Sequence, residues 1–273
     1  MNEYSRVPVA EEEKNRSYYK YFMRELKDIP EVKQKVLEHP LLPEGDGLEP
    51  EDRNKIFEPG TLPDEMGVSK MKSGGYCFAN HTKFPEANGE MLQWWFAWHP
   101  LECLRYSIWD PRDHYEVAVS DKDRKKLLDP QVSNLEKCQN VQHMNKESVL
   151  LGTDPIQVNL SFKKPSDMGF EEQWIGTEKC SFFLCGNVIK PEGDGLPIVL
   201  MHTARDLEDG CELRSRIWVG YQIVNGEVCC VAPENFELSE EQLRSQLQHH
   251  FFEFTNLAEI LPAIYAEEKD HWE

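Results

Sequence analysis

Two histidines and two glutamates, far apart in a chain of 273 residues, have the types and local spacing to hold one metal ion. His114 ends the run Trp109-Asp110-Pro111-Arg112-Asp113-His114, and Glu147 closes His143-Met144-Asn145-Lys146-Glu147. His249 stands four residues before Glu253 in a stretch of helical character. Imidazoles combined with carboxylates suit zinc, manganese or iron, whereas calcium and magnesium prefer shells of oxygen alone. One coordination position left for water or substrate would make such a site catalytic. On a helix, residues four apart lie one turn apart on the same face, so His249 and Glu253 can close on a single ion. His250 and Glu253, three apart, can do the same, and Glu253 belongs to both versions. Each residue also has an ordinary use: His114 as a loop histidine bonded to backbone, Glu147 as a solvated surface acid.

These side chains need elements to carry them. Residues 1–70 read as an N-terminal extension, with helices over 11–26 and 32–38. A stretch punctuated by Pro40, Gly45, Gly47, Pro50, Pro59, Gly60 and Pro63 follows. A strand is expected over 74–80, then an apolar helix over 86–104 that Pro100 kinks or ends. Short strands over 105–109 and 115–119 flank the loop that holds His114. A charged helical excursion over 121–137 precedes strands over 156–162, 180–189, 198–203, 211–224 and 227–231. Ser239 and Gln242 form a capping box that opens a helix running to about Leu261, with Leu243, Leu247, Phe251, Phe254, Ala258 and Leu261 as its buried stripe. Strands in series followed by one long amphipathic helix define an α+β protein, its antiparallel sheet packed on that helix. Residues 71–273 form the main domain.

Composition excludes several roles. At 40% hydrophobic residues the chain can bury a substantial core. A net charge of −19 repels polyanions, which excludes nucleic acid and anionic membranes as partners. No apolar run approaches the roughly 20 residues of a membrane span. Residues 1–14 are polar and acidic, without the basic and apolar regions of a signal peptide, so a cytoplasmic protein is expected. The eight cysteines contain no Cys-x-x-Cys pair and mostly lie in apolar runs such as Ser181-Phe182-Phe183-Leu184-Cys185, where a reduced thiol acts as a small hydrophobe. The acidic, proline-rich N-terminal arm suits a contact between subunits of a homodimer.

The segment from Glu90 to His114 resembles the signature region of the phloretin hydrolase and 2,4-diacetylphloroglucinol hydrolase family, through Trp94-Trp95, Trp98-His99-Pro100 and Trp109-Asp110-Pro111-Arg112-Asp113-His114. The run Ser17-Tyr18-Tyr19-Lys20-Tyr21, the segment from Glu212 to Tyr221, and His249-His250-Phe251-Phe252-Glu253 are similar as well. The likeness covers nearly the whole chain and is nearer to the phloretin branch. It implies hydrolysis of a carbon–carbon bond between a polyhydroxylated ring and an acyl carbonyl, with Zn2+ held by two histidines and two glutamates. It also implies a helix-grip fold like that of the Bet v 1 and START proteins.

Carried over residue by residue, the resemblance makes His114, Glu147, His249 and Glu253 the zinc ligands, with Glu136 and Glu178 as alternatives to Glu147. Tyr106, His202 and Tyr221 become the catalytic residues that bind substrate phenols. An asparagine expected just after the first ligand has no counterpart, because Val117 occupies that region. The implied substrate is an aromatic ketone: phloretin, yielding phloroglucinol and 3-(4-hydroxyphenyl)propionate, or alternatively 2,4-diacetylphloroglucinol, yielding acetate. A non-catalytic helix-grip protein that binds apolar ligands would share the fold without needing the four metal donors.

Overall fold

Ser239 starts the longest element. Its hydroxyl accepts from the Gln242 backbone N–H while the Gln242 side chain accepts from the Ser239 N–H, so the expected capping box is closed in both directions. The computed structural model describes residues 5–43, 45–150, 153–189 and 195–273, with the Ile189 side chain left aside. The chain order is α1 (Tyr19–Met23), α2 (Glu31–Glu38), β1 (Gly67–Lys70), β2 (Tyr76–Pro85), α3 (Gly89–Trp98) and α4 (Cys103–Trp109). Next come β3 (His114–Ala118), α5 (Asp121–Leu128), α6 (Asn134–Lys137), β4 (Gln142–Glu147) and β5 (Ile156–Phe162). The last elements are β6 (Phe182–Ile189), β7 (Ile198–Leu207), β8 (Gly210–Val219), β9 (Tyr221–Val224), β10 (Glu227–Cys230) and α7 (Glu240–Glu268).

Eight strands form one sheet in the order β1-β2-β8-β7-β6-β5-β4-β3, and every neighbouring pair is antiparallel. The α+β expectation therefore holds. Alternate residues of a strand face opposite sides, which separates two cores. Leu200, Ala204, Leu213 and Ile217 face inward and pack with Leu247, Phe251, Phe254 and Leu261 of α7. Val199, Met201 and Trp218 face outward and pack with Leu48, Ile56 and Phe57 from the N-terminal segment.

That outer cover is also polar. The Arg216 guanidinium meets both Asp64 carboxylate oxygens at 2.9 Å, and Arg214 donates to Glu65 at 2.6 and 3.0 Å. Trp218 Nε1 donates to the Leu48 carbonyl at 2.8 Å. Glu212, Arg214 and Arg216 alternate along β8 as a solvent-facing row would, yet all three are buried, the two arginines against residues 56–65 and Glu212 beside His81 and Arg205. No helix among the described residues is long and apolar enough to cross a membrane.

Several elements differ from expectation. Residues 105–109 are helical, in α4, not a strand. Leu104, Tyr106 and Ile108 alternate with Arg105 and Ser107 as a strand would, but all six residues from Leu104 to Trp109 are buried, in a helix enclosed on every side. The helix expected over 86–104 ends at Trp98 and passes through a 3-10 turn, His99–Leu101, that contains Pro100. The helix expected over 11–26 resolves into a 3-10 turn (Glu13–Asn15) and α1. The strand expected over 211–224 breaks at Gly220 (φ 89°), where an added Cβ would lie 2.8 Å from the Ala232 Cβ. The last helix continues through Pro262 to Glu268, held by buried Ile260, Leu261 and Ile264. The strands β1 and β4 were not anticipated.

Candidate active site and metal centre

The inward face of β4 carries His143, Asn145 and Glu147, with Gln142, Met144 and Lys146 outside. Beside it runs β3, and His114 pairs directly with Glu147 before a register shift at Glu116. The two residues, 33 apart in sequence, are thereby fixed side by side. Opposite them α7 presents His249, His250 and Glu253 on one face. The His114 Nε2 lies 3.9 Å from Glu147 Oε2 and 3.6 Å from Glu253 Oε2. It is buried and has no hydrogen-bond partner, while Nδ1 lies 3.3 Å from the Tyr106 carbonyl. Ligand atoms of His114, Glu147 and His249 all fall within 4.8 Å of one another, as do those of His249, His250 and Glu253. The structure thus brings together all four residues singled out as metal donors. Glu136 caps α6 and Glu178 is exposed, so neither alternative comes near.

Neighbouring groups orient these donors. Asp113 Oδ2 and Asp110 Oδ2 lie 3.5 and 3.8 Å from His249 Nδ1. Both carboxylate oxygens are buried and otherwise unpartnered. The His250 Nδ1 lies 3.0 Å from Glu253 Oε1, leaving Oε2 to face His114. The Tyr106 ring stacks on the His114 imidazole at 4.0 Å between centroids and 4° between planes. Its hydroxyl donates to Glu147 Oε2 and accepts from Asn145 Nδ2 at 3.0 Å.

Burial dominates the electrostatics. It lowers His114 well below the ordinary histidine range and brings His250 to about 3. It raises Glu147 and lifts Glu253 to about 7. At His249 burial opposes the charged form, but Asp113, Glu253, Asp110 and Glu147 outweigh it and raise its pKa. Four carboxylates gathered around His114 and His249 in a buried place, with His114 Nε2 bare of any partner, form a donor set that a divalent cation fits.

The donors sit at one end of a cavity of about 330 Å³. Tyr106 and His202 line it, as the resemblance implied. The His202 Nδ1 lies 2.7 Å from the Ser215 hydroxyl on the paired strand, and burial holds its pKa at about 3. Tyr221 is a correction. The break at Gly220 turns it onto the outer face, where it joins the second core and its hydroxyl contacts Ser73 and the Gly74 carbonyl. It does not reach the cavity.

Sequence reasoning missed Asn145, which lies directly across from Val117 and lines the cavity. The signal for it was available: polar residues at every second position, 143, 145 and 147. It also missed Asp110 and Asp113, although both lie in the run ending at His114. Lys33 of α2 gave no signal at all. Its buried ammonium donates to Thr82 at 2.6 Å, and burial lowers its pKa to about 7 against the pull of Glu253.

Comparison with known proteins identifies the family. The family profile described as DAPG hydrolase PhiG domain matches residues 48–266. Phloretin hydrolase of Eubacterium ramulus is 36% identical over 271 residues, covering 97% of this chain and 95% of that protein. A 2,4-diacetylphloroglucinol hydrolase of Pseudomonas protegens (strain DSM 19095 / LMG 27888 / CFBP 6595 / CHA0) is 26% identical over 266 residues, covering 93% and 85%. Another, from Pseudomonas sp, is 26% identical and covers 93% and 89%. The chain belongs to the DAPG hydrolase family, together with the phloretin hydrolase, and is a hydrolase.

Proposed function

We propose that this enzyme is a zinc-dependent hydrolase that cleaves the carbon–carbon bond between a polyhydroxylated aromatic ring and an acyl carbonyl. Its substrate is phloretin, split into phloroglucinol and 3-(4-hydroxyphenyl)propionate. The observation that carries this reading is one cavity that combines a two-histidine, two-glutamate donor set with aliphatic walls, in a member of this hydrolase family. We further assign the α+β fold to the helix-grip class, with residues 71–273 as the catalytic part.

His114, Glu147, His249 and Glu253 hold the ion. Bound there, zinc supplies Lewis acidity, polarising an oxygen and allowing water to ionise near neutral pH. The protein's own groups handle the ring. An aryl carbanion cannot leave in water, so the ring must first become a better leaving group. Its hydroxyls permit a keto tautomer, protonated at the carbon that bears the acyl group. Water then adds to the carbonyl carbon, the carbon–carbon bond breaks, and its electron pair returns to the ring as an enolate that regains aromaticity.

Tyr106, His202 and Asn145 favour that tautomer by binding ring oxygens. Tyr106 is kept protonated by burial and by Glu147, and its hydroxyl, which donates to Glu147 here, would turn to a ring oxygen once an ion holds Glu147. His202 is neutral, and with Nδ1 engaged by Ser215 it offers Nε2. Asn145 Oδ1 is buried without a partner, ready to accept from a ring hydroxyl.

Anaerobic incubation of the purified protein with phloretin and with 2,4-diacetylphloroglucinol, followed by product and metal analysis, tests the proposal. Equimolar phloroglucinol and hydroxyphenylpropionate are expected, with about one zinc per chain. Methylating the ring hydroxyls ortho and para to the acyl group should block cleavage, since a methyl ether cannot tautomerise. Acetate from the diacetyl compound alone would move the substrate to the shorter acyl group. Rapid hydrolysis of simple esters with neither ketone cleaved would overturn the carbon–carbon reading. Protein without stoichiometric metal or turnover would be a binder only.

A further inference from the structure

The cavity extends well beyond the metal donors. Along α7 its wall is made by Gln242, Gln246, His249, His250 and Glu253, positions that share one helical face. At a rise of about 1.5 Å per residue, Gln246 lies roughly 10 Å along the axis from Glu253. Between the two ends the opposite wall is aliphatic, with Val158, Leu160, Ile198, Leu200 and Ile217. Gln246 is half-buried and has no hydrogen bond within the chain among the described residues. Of the other polar side chains lining the cavity, only Trp109 also lacks a partner, and its indole N–H can donate but not accept; the rest have hydrogen-bond or ion-pair partners, Gln242 through its cap on Ser239.

An uncommitted amide beyond an aliphatic passage reads the far end of a ligand whose middle is apolar. From the carbonyl carbon to the oxygen of a 3-(4-hydroxyphenyl)propionyl tail is about 8 Å, counting bonds of about 1.5 Å. An acetyl group ends after one bond. We infer that Gln246 is a specificity determinant that hydrogen-bonds the distal hydroxyl of an aryl-propionyl tail, so that the enzyme selects acylphloroglucinols carrying a remote polar group. This rests on the function proposed above and names the residue that sets its acyl preference. The amide can donate to the phenol oxygen through Nε2 or accept its proton through Oε1. Because the contact lies far from the reacting carbon, it is equal in ground and transition states and shows in KM, not in kcat.

The test uses the full-length zinc enzyme, Gln246→Leu, and two ketones: phloretin and its analogue without the distal hydroxyl. In the unsubstituted enzyme phloretin should have the higher kcat/KM. In Gln246→Leu the ratio of phloretin to analogue should fall by about tenfold through KM, the size of one hydrogen bond. Zinc content and melting temperature report on folding. An unchanged ratio in Gln246→Leu, or a loss expressed in kcat for both ketones alike, would overturn the role of Gln246 while leaving the hydrolase reading intact. Absence of phloroglucinol from the unsubstituted enzyme with either ketone would overturn both.

Discussion

Replacing Asp113 by Asn should weaken metal binding without unfolding the protein. Asp113 Oδ2 lies 3.5 Å from His249 Nδ1, with Asp110 Oδ2 at 3.8 Å on the same nitrogen. These carboxylates keep a proton on Nδ1, so that Nε2 is the nitrogen left for the ion. Carboxylates in this position also raise the basicity of the ligand, and their loss costs 10- to 100-fold in metal affinity. Asparagine keeps an acceptor oxygen and removes the carboxylate, and Asp110 still faces the same nitrogen. Asp113→Asn should therefore sit near the tenfold end, about 1.4 kcal/mol. The double change Asp110→Asn with Asp113→Asn should approach a hundredfold, about 2.7 kcal/mol. Competition with a chromogenic chelator at neutral pH gives the zinc Kd directly, and circular dichroism checks the fold. Unchanged Kd in the double variant with a native spectrum would refute the argument, and with it the assignment of His249 as a ligand.

Glu253→Gln and His114→Ala should lower zinc content and turnover together, whereas His250→Ala should leave zinc largely in place; the reverse outcome for His249 and His250 would exchange their roles. Tyr106→Phe and His202→Ala should each retain zinc yet lose about tenfold to a hundredfold in rate, the cost of one unsatisfied buried partner. Tyr221→Phe, on the far side of the sheet, should match the parent enzyme in the same assay. Asp64→Ala leaves Arg216 buried and takes the acceptor from the Leu48 N–H. Urea unfolding should show a loss of about 3 kcal/mol, the lower end for a broken buried pair, because Glu65 remains 3.6 Å from Arg216. A loss below about 1 kcal/mol would mean that the outer cover is not held by this pair.

The long helix and its cap were legible because Ser239, Gln242 and the stripe from Leu243 to Leu261 are local signals with a fixed period. So were β5, β6 and β7, whose inward residues are apolar apart from His202. Three readings failed for definite reasons. Leu104–Trp109 is buried all round in α4, although Arg105 and Ser107 alternate with apolar residues as they would in a strand. Gly220 adds a turn that reverses the facing of Tyr221, and no hydrophobic pattern records it. Strand β4 was overlooked because its inward residues are His143, Asn145 and Glu147, so its alternation has no apolar phase.

That last failure carries information. A sequence departs from the rules of its fold where it is serving something besides folding. The departures converge: Asn145 and Glu147 from β4, His114 at the start of β3, Asp110 and Asp113 just before it, and His249, His250 and Glu253 from α7. Each would be cheaper as an apolar residue of similar size, since an unpaired polar group in such a place costs about 1–3 kcal/mol. The cost is tolerable because the other face of the sheet is closed independently by Leu48, Ile56, Phe57 and Trp218, with Arg214 and Arg216 fully paired. The inner face keeps its own apolar core between the sheet, α3 and α7, and gives up to an ion and a ketone only the part where β3 and β4 meet α7.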